Sequence, residues 1–296
     1  MSETQTPQGF KRVTAANLLV AISVVVVLQL GGLMITYQNV PVYTAIVNST
    51  GYSYDPFGTT SAGAAGNALF LVALAFAATL ALVWVARKRM VNSFKFLIFI
   101  STAISAFFLT LITADSFAFN YLPAQFEVPV AVGAAFLAVA LVAYNLFFRA
   151  HPWLSTVILG FIGAEVGSFF AETLPPETAI ILPIAFALYD IYAVFRGPLK
   201  QLIGTAPGLA LTGMSVKLGE FTLGLGDVVF YTMLPSLALF SISPLSAGFL
   251  AAGATIVAID AGVVATLFLL SKKRLLPGLP IPMFLGVAVL VPFLLY

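Results

Sequence analysis

Nine long apolar runs constrain the fold of this 296-residue chain more than any other feature of its sequence. A helix needs about 20 mostly apolar residues to cross the hydrocarbon layer of a bilayer. The chain is 61% hydrophobic and only 8% charged, whereas about a quarter of the residues in a soluble domain are charged. The sequence therefore predicts an all-α, polytopic membrane protein. The predicted transmembrane helices are residues 14–36, 63–86, 94–113, 129–149, 153–171, 177–195, 218–241, 245–270 and 276–296.

The basic residues predict how these helices are oriented. If the N-terminus is cytoplasmic, all 13 Lys and Arg residues lie on the cytoplasmic side, and the external segments carry acidic residues only. Because cytoplasmic loops of membrane proteins are enriched in Lys and Arg, we expect a cytoplasmic N-terminus and an external C-terminus. The same assignment predicts a long external loop at 37–62 and an irregular cytoplasmic loop at 196–217.

Composition also excludes several functions. The chain has no cysteine and one histidine, His151, which excludes disulfides, thiol catalysis and multi-histidine metal sites. A net charge of +2 without a basic-aromatic patch gives no case for a nucleic-acid partner. We therefore expect the lipid bilayer and other membrane proteins to be the partners.

Two aspartates at similar depth in consecutive helices are the strongest functional signal. A carboxylate at membrane depth costs at least about 2.5–3.5 kcal/mol. Asp190 lies six residues before Arg196, and Asp227 lies ten residues after Lys217, or about 9 and 15 Å from the cytoplasmic side at the helical rise per residue. Three further acids lie within or at the edge of predicted helices: Glu165, Glu220 and Asp260.

Glycines and an aromatic residue flank this pair. The stretch Gly224-Leu225-Gly226 directly precedes Asp227, and its glycines allow another backbone or a substrate to approach the carboxylate closely. They also favour partly extended chain before the helix becomes regular. Tyr189 directly precedes the other aspartate, and we expect its hydroxyl to form a hydrogen bond near the site.

A proline-rich element begins the last predicted helix. Pro277, Pro280 and Pro282, with Gly278 and Leu279 between the first two, deny this segment a regular helical start. Irregular backbone at membrane depth is tolerated only where protein or water covers it. We expect its free amides and carbonyls to bind an extended peptide.

The chemistry that fits two close carboxylates is hydrolysis with a shared proton. Two such groups in a low-dielectric site do not both ionise readily, so one acts as a base on water while the other polarises a carbonyl. Neither a metal nor another cofactor is needed. The competing interpretation is a hard cation such as magnesium or calcium bound by the pair, and we predict no metal.

Three short motifs resemble the YD, GxGD and PAL motifs of the presenilin and signal peptide peptidase families. In this order they are Tyr189-Asp190, Gly224-Leu225-Gly226-Asp227 and Pro277-Gly278-Leu279-Pro280. The resemblance implies an intramembrane aspartyl protease on a nine-helix fold, with transmembrane-helix substrates. It implies that Asp190 and Asp227 are catalytic and that Pro277 to Leu279 shape the site and hold substrate. Gly278 stands where the family usually has Ala, and because the small volume is kept, we expect function to survive.

The predicted orientation is similar to that of presenilins and opposite to that of signal peptide peptidases. The compact 196–217 loop is similar to that of microbial, particularly archaeal, presenilin homologues, which implies a prokaryotic cell membrane. The motifs lie in residues 177–296, and the earlier helices match the family only in number. The resemblance thus divides one membrane domain, 1–296, into a scaffold at 14–171 and a catalytic, substrate-docking part at 177–296.

A transmembrane substrate hides its peptide carbonyls in its own helical hydrogen bonds, so it must unwind before hydrolysis. The stretch at 220–223, "EFTL", offers a strand edge for pairing with an unwound substrate.

Two other functions stay open on the sequence. One is an ion or proton channel or transporter lined by Glu165, Asp190, Asp227 and Asp260; the other is an inert scaffold that binds membrane helices. The sequence leaves the natural substrate, accessory subunits and oligomeric state open.

Overall fold

Nine helices and one β-hairpin make up the described part of the chain. The computed structural model describes residues 15–52, 54–88, 90–148, 150–197, 215–218, 221–270 and 276–295. The helices are α1 (Ala15–Thr50), α2 (Ser61–Arg87), α3 (Val91–Tyr121), α4 (Ala124–Phe147), α5 (Pro152–Thr173), α6 (Pro176–Phe195), α7 (Leu225–Ser241), α8 (Leu245–Leu270) and α9 (Pro280–Leu295). The strands are β1 (Ser215–Leu218) and β2 (Phe221–Gly224). Over these residues, the predicted nine-helix, all-α membrane architecture is confirmed.

The helices differ in how completely they can cross a bilayer. Within the described residues, the seven helices α1 to α6 and α8 are long and apolar enough to span one. The helices α7 and α9 have 17 and 16 residues, about 25 Å at the helical rise per residue, which is less than the roughly 30 Å hydrocarbon layer. Both follow non-helical chain, so non-helical backbone reaches membrane depth at these two places.

The prediction of an external loop at 37–62 is wrong over most of its length. α1 continues to Thr50 through Pro41, and only residues 51–60 connect it to α2. The polar residues that ended the predicted helix, Gln38 and Asn39, are buried at 8% and 3% exposure. They face other helices, so polarity here marks helix packing and not a loop.

Other boundaries also differ from the prediction. α3 ends at Tyr121 and α4 begins at Ala124, so only residues 122 and 123 connect them, a much shorter connection than predicted. α7 begins at Leu225, because the hairpin occupies the chain before it, and α9 begins only at Pro280. Of the predicted 196–217 loop, residues 198–214 lie outside the described residues, and its end forms part of β1.

Close packing of α5 on α7 fixes the helix that carries Asp227. A Cβ atom at Gly167 would lie 2.5 Å from the Val229 carbonyl oxygen, and one at Gly163 would lie 2.9 Å from the Val228 side chain. Glycine therefore lets the two helices approach closely, as small residues do between membrane helices. Every residue of α7 from 228 to 239 is buried.

Polar side chains add hydrogen bonds between the helices. Asn39 of α1 donates to Glu172 of α5 at 3.1 Å, and Thr110 of α3 donates to Glu165 of α5 at 3.0 Å. Ser168 donates to a carbonyl oxygen of α1 at 2.9 Å. In lipid such bonds satisfy groups that have no water to bind, and α5 therefore connects α1, α3 and α7.

Replacing Gly167 with alanine tests this packing. The added methyl group overlaps the α7 backbone, so we expect Gly167→Ala to lower the free energy of unfolding by about 1–3 kcal/mol. Gly253→Ala on α8 is the matched control, because nothing lies within 4 Å of its Cβ position. Thermal unfolding in detergent measures both, and equal melting temperatures would contradict the close α5–α7 contact.

Candidate active site

Asp227 lies in the first turn of α7, directly after the hairpin. The Gly224 N–H donates to Asp227 Oδ2 at 3.1 Å, and Gly224 has extended backbone that ends β2 as it caps the helix. An acidic side chain at a helix N-terminus is stabilised by the exposed N–H groups there. The Gly224 amide and the first turn of α7 therefore position this carboxylate where the strand ends and the helix begins.

The β-hairpin fixes the entry to α7. β1 and β2 are antiparallel, with Ser215 opposite Gly224 and Val216 opposite Leu223. Val216 is 0% exposed and Leu223 8% exposed, so the hairpin packs into the protein. The extended chain predicted before α7 is confirmed for residues 221–224. Residue 220, at the beginning of the predicted strand edge, lies outside the described residues.

Asp190 is held by the segment that precedes α9. The Leu279 N–H donates to Asp190 Oδ2 at 3.2 Å, and the neighbouring Gly278 backbone lies close to the same carboxyl group. The Leu279 amide is available because the segment is not yet helical, as its prolines predict. Asp190 lies on α6 and is partly buried.

The same segment contacts the second aspartate. A Cβ atom at Gly278 would lie 2.7 Å from Asp227 Oδ2, so the backbone of Gly278 lies directly against that carboxyl group. Asp190 and Asp227 are close enough for their charges to interact. The structure therefore brings together both predicted catalytic residues and the third motif.

This contact changes the interpretation of Gly278. From the sequence, we expected function to survive with glycine in place of the alanine that is usual in the resembling families. In this protein a methyl group at 278 does not fit unless the Asp227 side chain moves, because the added atom would also lie 3.1 Å from its carboxyl carbon. Gly278 therefore permits the close approach of Asp227 to the segment.

A tyrosine hydroxyl contacts the third motif, but it belongs to Tyr231 and not to Tyr189. The Tyr189 hydroxyl donates to Thr79 of α2 at 3.2 Å. This hydrogen bond connects α6 to α2 and does not involve either aspartate. Tyr231 instead donates to the Gly278 carbonyl oxygen at 2.9 Å and is 2% exposed. Sequence reasoning missed this role, although a spacing of four residues places Tyr231 on the same face of α7 as Asp227.

The remaining intramembrane acids have separate surroundings. Glu165 is 1% exposed and bound by Thr110, whereas Asp260 of α8 is close enough to interact with the Tyr231 hydroxyl. Glu220 lies outside the described residues. Within the described ranges, no group of three or more His, Asp or Glu side chains could hold a metal ion.

Two comparisons with known proteins identify relatives of this fold. One is the structure of a presenilin family intramembrane aspartate protease in a C222 crystal form, with a TM-score of 0.64, 17% identity, and coverage of 93% of this chain and 98% of that chain. The other is such a protease in a P2 crystal form, with a TM-score of 0.54, 19% identity, and coverage of 98% and 99%. At these identities the likeness establishes the fold.

The family follows from the sequence itself. A search of curated proteins found no match, but the presenilin family profile matches residues 9–208, more than half of the chain. The match includes α1 to α6, so the early helices resemble the family in sequence and not only in number. On this match the chain belongs to the presenilin family.

Proposed function

We propose that this protein is an intramembrane aspartyl endopeptidase that hydrolyses peptide bonds within transmembrane helices of other membrane proteins. The observation that carries the proposal is the contact of one short segment, Gly278-Leu279, with both Asp190 and Asp227. Membership of the presenilin family supports it. Because this segment contacts both side chains, it places two carboxyl groups from different helices close together at membrane depth.

The two carboxyl groups divide the work of hydrolysis. The ionised aspartate takes a proton from a water molecule, whose oxygen bonds to the substrate carbonyl carbon while the protonated aspartate hydrogen-bonds the carbonyl oxygen. The tetrahedral intermediate collapses with cleavage of the C–N bond, and the nitrogen receives a proton from the pair. One water is consumed, and a carboxyl group and an amine are formed.

The surroundings of Asp227 leave room for substrate. Gly224 and Gly226 are exposed, and nothing lies within 4 Å of the Cβ position of Gly226. Leu225 is turned the other way, because its side chain would lie 3.1 Å from a Cβ at Gly163 of α5. We propose that an unwound substrate crosses the two glycines and reaches the backbone between Pro277 and Pro280.

The placement in the cell is part of the same proposal. The protein is an integral, multi-pass membrane protein, and the distribution of its basic residues supports a cytoplasmic N-terminus and a site nearer the cytoplasmic surface. The compact 196–217 loop supports a prokaryotic, archaeal cell membrane. We also propose 14–171 as the scaffold and 177–296 as the catalytic part. Within this division, α5 of the scaffold packs directly on α7 of the catalytic part.

The channel or transporter interpretation has less support. It needs Glu165 to line a polar path, but this side chain is buried and bound to Thr110 of α3. The described contacts therefore favour hydrolysis over conduction.

Substitution of either aspartate tests the proposal. Asp190→Asn and Asp227→Asn each remove an ionisable carboxyl group, so we expect cleavage to fall at least about 10²-fold, the usual worth of general acid–base catalysis. Asp115→Asn, at an exposed position of α3, is the control and should keep full activity. Purified protein is incubated with a single-span peptide and products are weighed by mass spectrometry; full cleavage by either site variant overturns the assignment.

Gly278→Ala tests the contact between the third motif and Asp227. The methyl group displaces the carboxyl group, so we expect kcat to fall about 10- to 100-fold, as for other small misplacements of catalytic groups. Gly133→Ala on α4, whose Cβ position has no neighbour within 4 Å, should keep its kcat. An undiminished kcat for Gly278→Ala would show that Asp227 does not need this close approach.

Substrate unwinding is tested with paired peptides that differ only beside the cleaved bond. A Gly-Gly pair there weakens the helix by about 2 kcal/mol relative to Ala-Ala. If local unwinding precedes cleavage, the Ala-Ala peptide is cut several-fold more slowly. Equal rates for the two peptides argue against unwinding and against strand pairing with β2.

A further inference from the structure

The peptide unit between Gly278 and Leu279 is hydrogen-bonded on both sides. Its carbonyl oxygen accepts from the Tyr231 hydroxyl at 2.9 Å, and its N–H donates to Asp190 Oδ2 at 3.2 Å. The peptide bond is trans, so the C=O and N–H groups lie in one plane and point in opposite directions. The direction of the N–H is therefore tied to the hydrogen bond that the carbonyl oxygen makes.

Glycine at 278 makes this peptide unit easy to rotate. On the C-terminal side, the Leu279 carbonyl oxygen accepts from the Met283 N–H at 3.0 Å, which fixes Leu279 at the beginning of α9. On the N-terminal side, Gly278 has no Cβ and adopts many backbone angles at little steric cost. Rotation of the peptide plane would turn the N–H away from Asp190 with little movement of the neighbouring residues. A contact outside this segment is therefore needed to fix the plane.

Tyr231 is well placed to make this contact. Its side chain is 2% exposed and belongs to the same buried hydrophobic core as most of α7. A tyrosine side chain has two main torsions, and close packing restricts both, so its hydroxyl oxygen occupies a defined position. Tyr231 also lies four residues after Asp227, on the same face of the helix. α7 thus presents a carboxyl group and a hydroxyl group to one residue, Gly278.

We propose that Tyr231 is a positioning residue that aims the Leu279 N–H at Asp190. This inference rests on the proposed function, in which Asp190 and Asp227 together hydrolyse a peptide bond. The Tyr231 hydroxyl fixes the plane of the 278–279 peptide, and the plane fixes the N–H that binds Asp190. A hydrogen bond to the carbonyl oxygen also polarises the peptide unit and strengthens its N–H as a donor. α7 therefore carries one aspartate and orients the other.

NMR spectroscopy measures the environment of the Leu279 N–H without any substrate. In protein labelled with ¹³C-carbonyl glycine and ¹⁵N-leucine, spectra that correlate each amide with the preceding carbonyl carbon select the leucines that follow glycine, which are Leu33, Leu209, Leu225 and Leu279. Leu279→Met identifies the Leu279 signal by its loss. We expect Tyr231→Phe to move the Leu279 amide proton upfield, because a proton that leaves a carboxyl oxygen becomes more shielded. The aromatic ring is kept in this variant, so its own shielding of nearby protons changes little.

Tyr144→Phe is the matched control, because it makes the same change at an exposed position of α4. It should leave the Leu279 signal in place, and the Leu33 signal of α1 should stay unchanged in both variants. An unmoved Leu279 signal in Tyr231→Phe overturns the proposal. A shift of the same size in Tyr144→Phe overturns it as well.

Kinetics with a single-span peptide tests the effect on catalysis. We expect Tyr231→Phe to lower kcat about 10-fold, as for other small misplacements of catalytic groups. KM should change little, because Tyr231 is buried and bonds to the segment rather than to substrate. Tyr144→Phe should keep both constants. Thermal unfolding in the same detergent gives the folded fraction at the assay temperature, and a kcat that is unchanged for that fraction overturns the positioning role.

A double variant shows whether Tyr231 acts through the segment. Gly278→Ala already disturbs the segment, and substitutions that act through one shared contact are not additive. We therefore expect Tyr231→Phe to lower kcat by a clearly smaller factor in the Gly278→Ala background than alone. Equal factors in the two backgrounds would contradict action through the 278–279 peptide. If Asp190→Asn still cleaves the substrate, the protease proposal fails while the NMR result on Leu279 stands.

Discussion

The short segment before α9, Gly278-Leu279, contacts both aspartates of the candidate active site. Its Leu279 amide binds Asp190, and its Gly278 backbone lies against Asp227. Non-helical chain at membrane depth persists only where other groups satisfy and cover it. Here the carboxyl group of Asp190 and the hydroxyl of Tyr231 supply hydrogen-bond partners. Asp190 is therefore part of what stabilises the irregular segment, and the segment in turn contacts both aspartates.

The rest of the fold supports this arrangement through packing that needs very small side chains. Gly163 and Gly167 let α5 approach the backbone of α7, and Gly262 lets α8 approach α9. These contacts leave α7 buried beyond its first turn, whereas Gly224 and Gly226 at its beginning stay exposed. A buried helix with an open first turn suits the proposed site, in which Asp227 is held in place and a substrate backbone has access.

Much of the architecture was predictable because bilayer thickness imposes a length on every apolar run. The nine helices and the two aspartates at similar depth follow from that constraint. The extension of α1 was not predictable, because Gln38 and Asn39 look alike in a loop and in a polar helix contact. The position of Tyr231 against Gly278, and the exclusion of a methyl group at 278, depend on distances between segments 47 residues apart. Periodicity within one helix carries no information about such distances.

The most direct test of the shared segment is a cryo-EM structure of the full chain with a peptide inhibitor whose single hydroxyl group mimics the tetrahedral intermediate. We predict that this hydroxyl lies between Asp190 and Asp227, within hydrogen-bond distance of both, while the Leu279 amide still contacts Asp190. An inhibitor bound elsewhere, or aspartates too far apart to share its hydroxyl group, would contradict the account.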